Sequence, residues 1–292
     1  MHVSPLSARR CLSALTLLAF VGLSTTALAQ GGAPAAQPPT ATPAAAPAAT
    51  PTPPAAPDAP KGIPVPNNAP LSTQTLEGGL IIEELKIGEG FEIKPGNSVV
   101  ALYHGTRKSD GFVFDSAFDR GEPIAFPLSG VIEGWQKGVP GMRIGGVRRL
   151  TIPAALGYGE RGAGADIPPN TDLIFVIQIV DALQITDTKV GEGEAATANA
   201  VAVAAYIIKD EKGNIVQQAT KENPYIWFPG EFQPISMGLE GMKRGGTRTI
   251  KVPKEMNQSA PMIETTRPSN VPVTIEVELL HLRNVPMNPR NR

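Results

Sequence analysis

Gly141-Met142-Arg143-Ile144-Gly145-Gly146 recurs about one hundred residues later as Gly241-Met242-Lys243-Arg244-Gly245-Gly246, and Pro153 is matched by Pro253. Upstream, Ile87-Gly88-Glu89-Gly90 returns as Val190-Gly191-Glu192-Gly193, and Val100-Ala101-Leu102-Tyr103 as Val203-Ala204-Ala205-Tyr206. Matches in the same order at nearly one spacing indicate a tandem duplication of a unit of about 100 residues, not a solenoid of short repeats. The boundary falls near Gln184, giving units over 71–184 and 185–284 and a tail over 285–292.

Within the first unit, Ser98 to Tyr103, Val147 to Ile152 and Leu173 to Val180 are short apolar or β-branched runs between turn residues, and they read as strands. Leu173, Phe175, Ile177 and Ile179 alternate with Ile174, Val176 and Gln178, so one face of that strand points to a core. A single short helical pattern covers Val131 to Lys137, ahead of Gly138. The expected class is α+β: each unit is an antiparallel sheet around one short helix.

Composition excludes several functions. The chain has 292 residues, with 26 Lys and Arg against 27 Asp and Glu, which gives no basic face for nucleic acid and no attraction to an anionic membrane. With one cysteine (Cys11) and three histidines (His2, His104, His281), no zinc ligand set or internal disulfide can form, and no metal or cofactor is expected. His104 is expected as a surface or turn residue at the end of a strand. Gly157-Tyr158-Gly159-Glu160-Arg161-Gly162 matches the dinucleotide fingerprint letter for letter. Ala163 to Pro169 cannot open the helix that the fingerprint needs, so this is a chance match.

Residues 1–29 read as a secretory signal: Arg9 and Arg10, an apolar run from Cys11 to Leu23, then Ala27-Leu28-Ala29 before the cut. The run is short of the ~20 residues that span a bilayer. Cleavage removes the only cysteine, and the mature chain is expected outside the cytoplasm, in a bacterial periplasm, with no membrane attachment. Residues 30–70 form a Pro/Ala-rich linker; the forty positions 31–70 hold 13 Pro and 13 Ala. With so few branched or aromatic side chains, this linker is expected to stay disordered.

The aromatics carry the chemistry. Nine of the fifteen fall in residues 74–184, and Tyr158 sits in a glycine-flanked loop, where side chains are normally functional. Phe91 and Phe112 read as plain core. Asp115 lies among aromatic side chains and needs a partner, with Arg120 and the Tyr103 hydroxyl as candidates.

Tyr103-His104-Gly105, Phe114-Asp115-Ser116, Val131-Ile132-x-Gly134-Trp135, Gly157-Tyr158-Gly159 and Ile167-Pro168-Pro169-Asn170 together resemble an FKBP-type peptidyl-prolyl cis–trans isomerase over residues 79–183. The resemblance implies a half-wrapped antiparallel sheet, a short helix and a hydrophobic cleft between them. It also implies Trp135 as the floor, Tyr103, Phe114, Phe126 and Phe175 as walls, and Val131 and Ile132 at the helix entrance. Asp115 and the Tyr158 hydroxyl would be the polar contacts, and the Ile167 backbone would face the ligand.

The implied partners are proline-containing unfolded or folding polypeptides and macrolide inhibitors. No helical dimerisation segment precedes the first unit, so a monomer is expected. A non-catalytic holdase or partner-binding module is the alternative. Two departures stand out: Ile124, where the family usually has an aromatic, and Gly130, where a polar or acidic residue is usual. Both are expected at the cleft rim.

Carried onto the second unit, Tyr103 becomes Tyr206, Phe126 becomes Phe228, Phe114-Asp115 become Val216-Gln217, Trp135 becomes Ile235, Tyr158 becomes Gln258 and Phe175 becomes Ile275. Residues 185–284 are therefore expected to keep the fold without catalysis. Tyr225 to Phe228 form an apolar cluster, expected either in the core or as an exposed patch that holds peptide.

Overall fold

The computed structural model describes residues 62–229, 233–257 and 269–286. The expected signal over residues 1–29, the expected linker as far as residue 61, Gln258 and the end of the tail lie outside the described residues.

The first sheet is built from β1 (Ser72–Thr75), β2 (Ile81–Lys86), β3 (Ser98–Arg107), β4 (Val113–Ser116), β5 (Ile124–Pro127), β6 (Val147–Ile152) and β7 (Leu173–Ala182). Its order is β1-β2-β6-β7-β3-β4, and β5 pairs with the other half of the β3 edge. Every pairing is antiparallel. The alternation in β7 sorts as the sequence indicates: Leu173, Phe175, Ile177 and Ile179 are all buried in one core with Leu150, Ile152 and Trp135. That core lies between the sheet and α2 (Glu133–Gly138). A Cβ on Gly138 would stand 2.7 Å from the Leu150 side chain, so only glycine lets the helix approach β6 this closely.

Three local expectations change. β3 runs on to Arg107, which puts His104 mid-strand and half-buried, its Nδ1 3.1 Å from Ser116 Oγ. Asp115 and Arg120 do not share a simple turn: Asp115 lies in β4, and Arg120 ends a helical turn, α1 (Ala117–Arg120). Ser116 Oγ caps it by accepting from Asp119 N, and Gly121 closes it with a left-handed φ of 74°. Phe112 is 43% exposed and lies under the Arg107 guanidinium, 4.2 Å from ring centroid to carbon, so it is not core.

The linker expectation needs a larger correction, because residues 62–70 are ordered. Ile63 N–H donates to Phe118 O at 2.8 Å. Val65 packs on Leu85, Val147 and Val176 and also against Leu102, Ala117 and Phe118. Composition argues against a core in this segment, but one branched side chain, Val65, and the Ile63 backbone hydrogen bond suffice to dock its end on an existing one. Pro64 and Pro66 already restrict the backbone around Val65 toward extended geometry. This strap covers the back of the sheet, which is why Val176 is buried although it faces away from the main core.

The second sheet contains β8 (Gln184–Lys189), β10 (Val201–Lys209), β11 (Ile215–Ala219), β12 (Tyr225–Trp227), β14 (Thr247–Val252) and β15 (Val273–Arg283), in the order β11-β10-β15-β14-β8 with β12 on β10. β9 (Glu192–Ala195) pairs with β13 (Lys243–Arg244), and α3 (Gln233–Leu239) faces the sheet. The two sheets share registers: Tyr103 pairs with Ile177 and Tyr206 with Val277, while Gly105 pairs with Asp115 and Ile208 with Gln217.

One device appears in both units and was not read from the sequence. Arg148, 5% exposed, binds Glu84 and donates to Gly138 O at 2.5 Å and Pro140 O at 3.1 Å. Arg248 likewise donates to Asp187 at 2.7 Å, Gly238 O at 2.5 Å and Glu240 O at 2.7 Å. A buried guanidinium thus satisfies the orphan carbonyls at the end of each unit's helix.

Candidate functional site

Strand alternation places Tyr103 on the core side of β3 and Phe175 on the same side of β7, opposite Gly105, and α2 brings Trp135 up against both rings. Trp135 is 4% exposed. Its ring meets Phe175 at 5.2 Å and 89°, Phe126 at 5.3 Å and 65°, and Tyr103 at 5.7 Å and 82°. Phe114 closes on Phe175 at 5.5 Å and 79°. Such edge-to-face pairs suit the ring quadrupoles and contribute ~0.5–1.5 kcal/mol each beyond burial. Val131, Ile132 and Tyr158 are partly buried against the same cluster, and Ile167 is inside it. Nine of the ten singled-out residues therefore meet in one place, with Asp115 at its edge.

Gly105 makes this possible, and it was not singled out. A Cβ there would stand 2.7 Å from the Phe114 ring and 2.8 Å from that of Phe175. Its signal lay in the motif Tyr103-His104-Gly105, where the glycine opposes two aromatics across neighbouring strands.

The polar edge is a closed trio. The Tyr103 hydroxyl donates to Asp115 Oδ2, Arg120 Nη1 donates to Asp115 Oδ1 at 2.5 Å, and Arg120 Nη2 reaches the Tyr103 oxygen at 3.3 Å. Both candidate partners of Asp115 are thus used at once. Burial, then the hydrogen bond to Asp115, pushes the Tyr103 phenol up to about 12. Burial, then the Asp115 charge, also pushes Tyr158 up, so both phenols stay neutral donors at physiological pH. Among the described residues, no protein group bonds the Tyr158 hydroxyl, which leaves it available to a ligand.

The loop that carries Tyr158 is held from within. Ala163 N–H donates to Ile167 O at 2.8 Å and Ile167 N–H to Ala163 O at 3.3 Å. The Ile167 N–H is thus engaged inside the loop, and its side chain is 5% exposed. Ile124 does not reach the rim as expected; it packs against Leu102, Ala117 and Phe118.

Residues 90–180 match the model of the FKBP-type peptidyl-prolyl cis-trans isomerases. An FK506-binding protein of Neisseria meningitidis serogroup B is 45% identical over 105 residues, which cover 35% of this chain and 95% of the relative. The chain belongs to the FKBP-type peptidyl-prolyl cis–trans isomerase family. The Saccharomyces cerevisiae peptidyl-prolyl cis-trans isomerase FPR2 is 49% identical over 89 residues, 30% of this chain and 66% of its own. The crystal structure of FkpA from Escherichia coli matches at 39% identity over 38% of this chain and 51% of its own, with a TM-score of 0.36. The FKBP-type reaction is cis–trans isomerisation of Xaa–Pro peptide bonds, and the family binds proline-containing peptides and FK506-like macrolides in general.

The second unit compares position by position with this FKBP-type cleft. Val99 pairs with Phe126, and Ala202 pairs with Trp227. The counterpart of Phe126 is therefore Trp227, not Phe228, which is 53% exposed. The cluster from Tyr225 to Phe228 is split by strand alternation: Trp227 is 4% exposed and packed among Tyr206 and Tyr225, while Ile226 is 50% exposed. Where the first unit has glycine and two rings, the second has buried Ile208 and Ile275 and a half-buried Val216.

Proposed function

We propose that this chain is an exported prolyl isomerase that acts on folding polypeptides outside the cytoplasm, with catalysis confined to the cleft of the first unit. The observation that carries this reading is Trp135, buried beneath three edge-on rings, with Tyr158 packed against the same cluster.

Rotation about Xaa–Pro is opposed by ~18–20 kcal/mol of amide resonance and takes tens of seconds or more unaided. The planar amide is more dipolar than the twisted one. A dry aromatic cleft solvates the planar form less well than water does, while its walls accept the twisted ring, so the barrier falls by differential binding. Trp135 lies beneath the proline ring, Tyr103, Phe114, Phe126 and Phe175 enclose it, and Val131 and Ile132 border the entrance. Tyr158 donates to a substrate carbonyl. Asp115, held by Tyr103 and Arg120, sets the field at the edge. No nucleophile or proton transfer is involved. Ile208, Val216 and Ile275 leave the second unit without this cleft, and it is non-catalytic.

The test is isomerisation of a short Xaa-Pro peptide by the full-length chain and by its Trp135→Ala variant, together with Ile208→Gly in the second unit. Activity lost with Trp135→Ala and unchanged with Ile208→Gly is the expected result; an equally active Trp135→Ala variant refutes the assignment. Export is tested by expressing residues 1–292 in a bacterium and sequencing the N-terminus of the periplasmic product, expected at Gln30.

A further inference from the structure

The two units are joined without a linker. β7 ends at Ala182 and β8 begins at Gln184, leaving Leu183 alone between them. Ala182, 0% exposed, lies in the first core, and Leu183, 1% exposed, in the second. Leu183 N–H also donates to Ser98 O at 3.0 Å. Consecutive residues anchored in different cores leave no torsion free to act as a hinge.

A second contact lies at the same end of β3. Ser98 is its first residue and is 4% exposed, and its hydroxyl donates to the sulfur of Met237 on α3 at 3.4 Å. In the register of β3 with β5, Ser98 stands opposite Pro127 and Val99 opposite Phe126. The short helical turn Lys254–Met256 of the second unit lies against β5 itself. β5 has four residues, pairs only with β3 among the described residues, and carries Phe126. An edge strand this short is a low-stability element unless something else covers it.

We propose that the second unit is a fixed buttress of the catalytic cleft: through the Ala182–Leu183 joint, Met237 and the Lys254–Met256 turn, it holds β5 and positions Phe126. Phe126 is part of the wall, and the second unit acts through it. The non-catalytic copy keeps its framework because the first copy's substrate affinity depends on it. This inference rests on the isomerase reading above, and activity of the unaltered full-length chain tests that reading separately.

The experiment uses the full-length chain with Gly-Ser-Gly-Ser-Gly inserted between Ala182 and Leu183, combined with Met237→Lys, so that the joint and the contact are both lost. Two quantities are read: KM for a short Xaa-Pro peptide, and amide hydrogen exchange at Ala125 and Phe126. The expected result is a KM raised at least threefold, a kcat within twofold of the unaltered chain, and faster exchange in β5. Unchanged KM overturns the proposal whether or not exchange accelerates. A raised KM with unchanged β5 exchange also overturns it, because the effect then bypasses the strand. If the combined change unfolds the second unit, the same readouts decide, since a denatured unit supports nothing.

Discussion

Replacing Tyr103 with Phe keeps the ring against Trp135, Phe126 and Phe175 and removes only the hydroxyl. Two routes give the cost. A hydrogen bond to a charged partner is worth ~1.5–3 kcal/mol net. The side chains of Asp115 and Arg120 are 35% and 46% exposed, so screening brings this to about 1–1.5 kcal/mol. The second route is linkage. A phenol pushed from 10.0 to about 12 corresponds to a ceiling of ~2.7 kcal/mol; burial is the larger cause and the Asp115 hydrogen bond the second, so less than half, about 1.3 kcal/mol at most, belongs to the bond.

The sign follows from the direction of the shift. The folded state favours the neutral phenol, so this stabilisation is complete below pH 10 and is lost as pH rises through about 12. Tyr103→Phe should therefore be about 1.3 kcal/mol less stable than the unaltered chain at pH 8, and the gap should close toward pH 12. Paired urea titrations at pH 8, 10 and 11.5 measure it. With Trp227→Phe in both proteins, the fluorescence comes from Trp135 alone, since the chain has two tryptophans. A gap under about 0.3 kcal/mol at pH 8, or one that stays constant to pH 11.5, would refute the trio as drawn. Isomerisation should fall by less than about tenfold, because the cleft wall remains.

Gly105→Ala should raise KM about fivefold while costing under about 1.5 kcal/mol of stability, because the added methyl displaces the Phe114 and Phe175 rings; steady-state kinetics at fixed pH decide it. Trp135→Leu removes three ring pairs and should lower stability by about 2–4 kcal/mol and kcat/KM at least tenfold, measured on the same preparation. Arg148→Leu strands two buried carbonyls and Glu84 and should cost about 3–5 kcal/mol in urea unfolding. Arg248→Leu should cost about half as much, because Asp187 is 50% exposed and regains water.

Much of the site was legible because its chemistry is local. Tyr103, Phe114, Asp115, Trp135 and Tyr158 stand in short motifs whose residue types announce an aromatic cleft, and strand period and glycine turns place them. The long alternating strands and the repeat were legible for the same reason, since each depends on spacing along one chain. Misreadings arose where the decision lay between distant segments. The repeat alignment carries Phe126 onto Phe228, but strand pairing selects Trp227, because a one-residue slip sends a side chain to the other face.

The sequence by itself determined the two-unit α+β plan, the aromatic floor and walls of the first unit, and the loss of those side chains from the second. Those outcomes need only periodicity, turn chemistry and residue type. Only the tertiary structure decided that Ile63 and Val65 dock the end of the linker on the sheet, that Arg148 and Arg248 close the helix ends, and that Gly105 makes room for two rings. It alone also decided that the Lys254–Met256 turn lies against β5. Each of these depends on which surfaces meet across dozens of residues of chain. Burial and hydrogen-bond satisfaction act between those surfaces and leave no periodic trace in either segment.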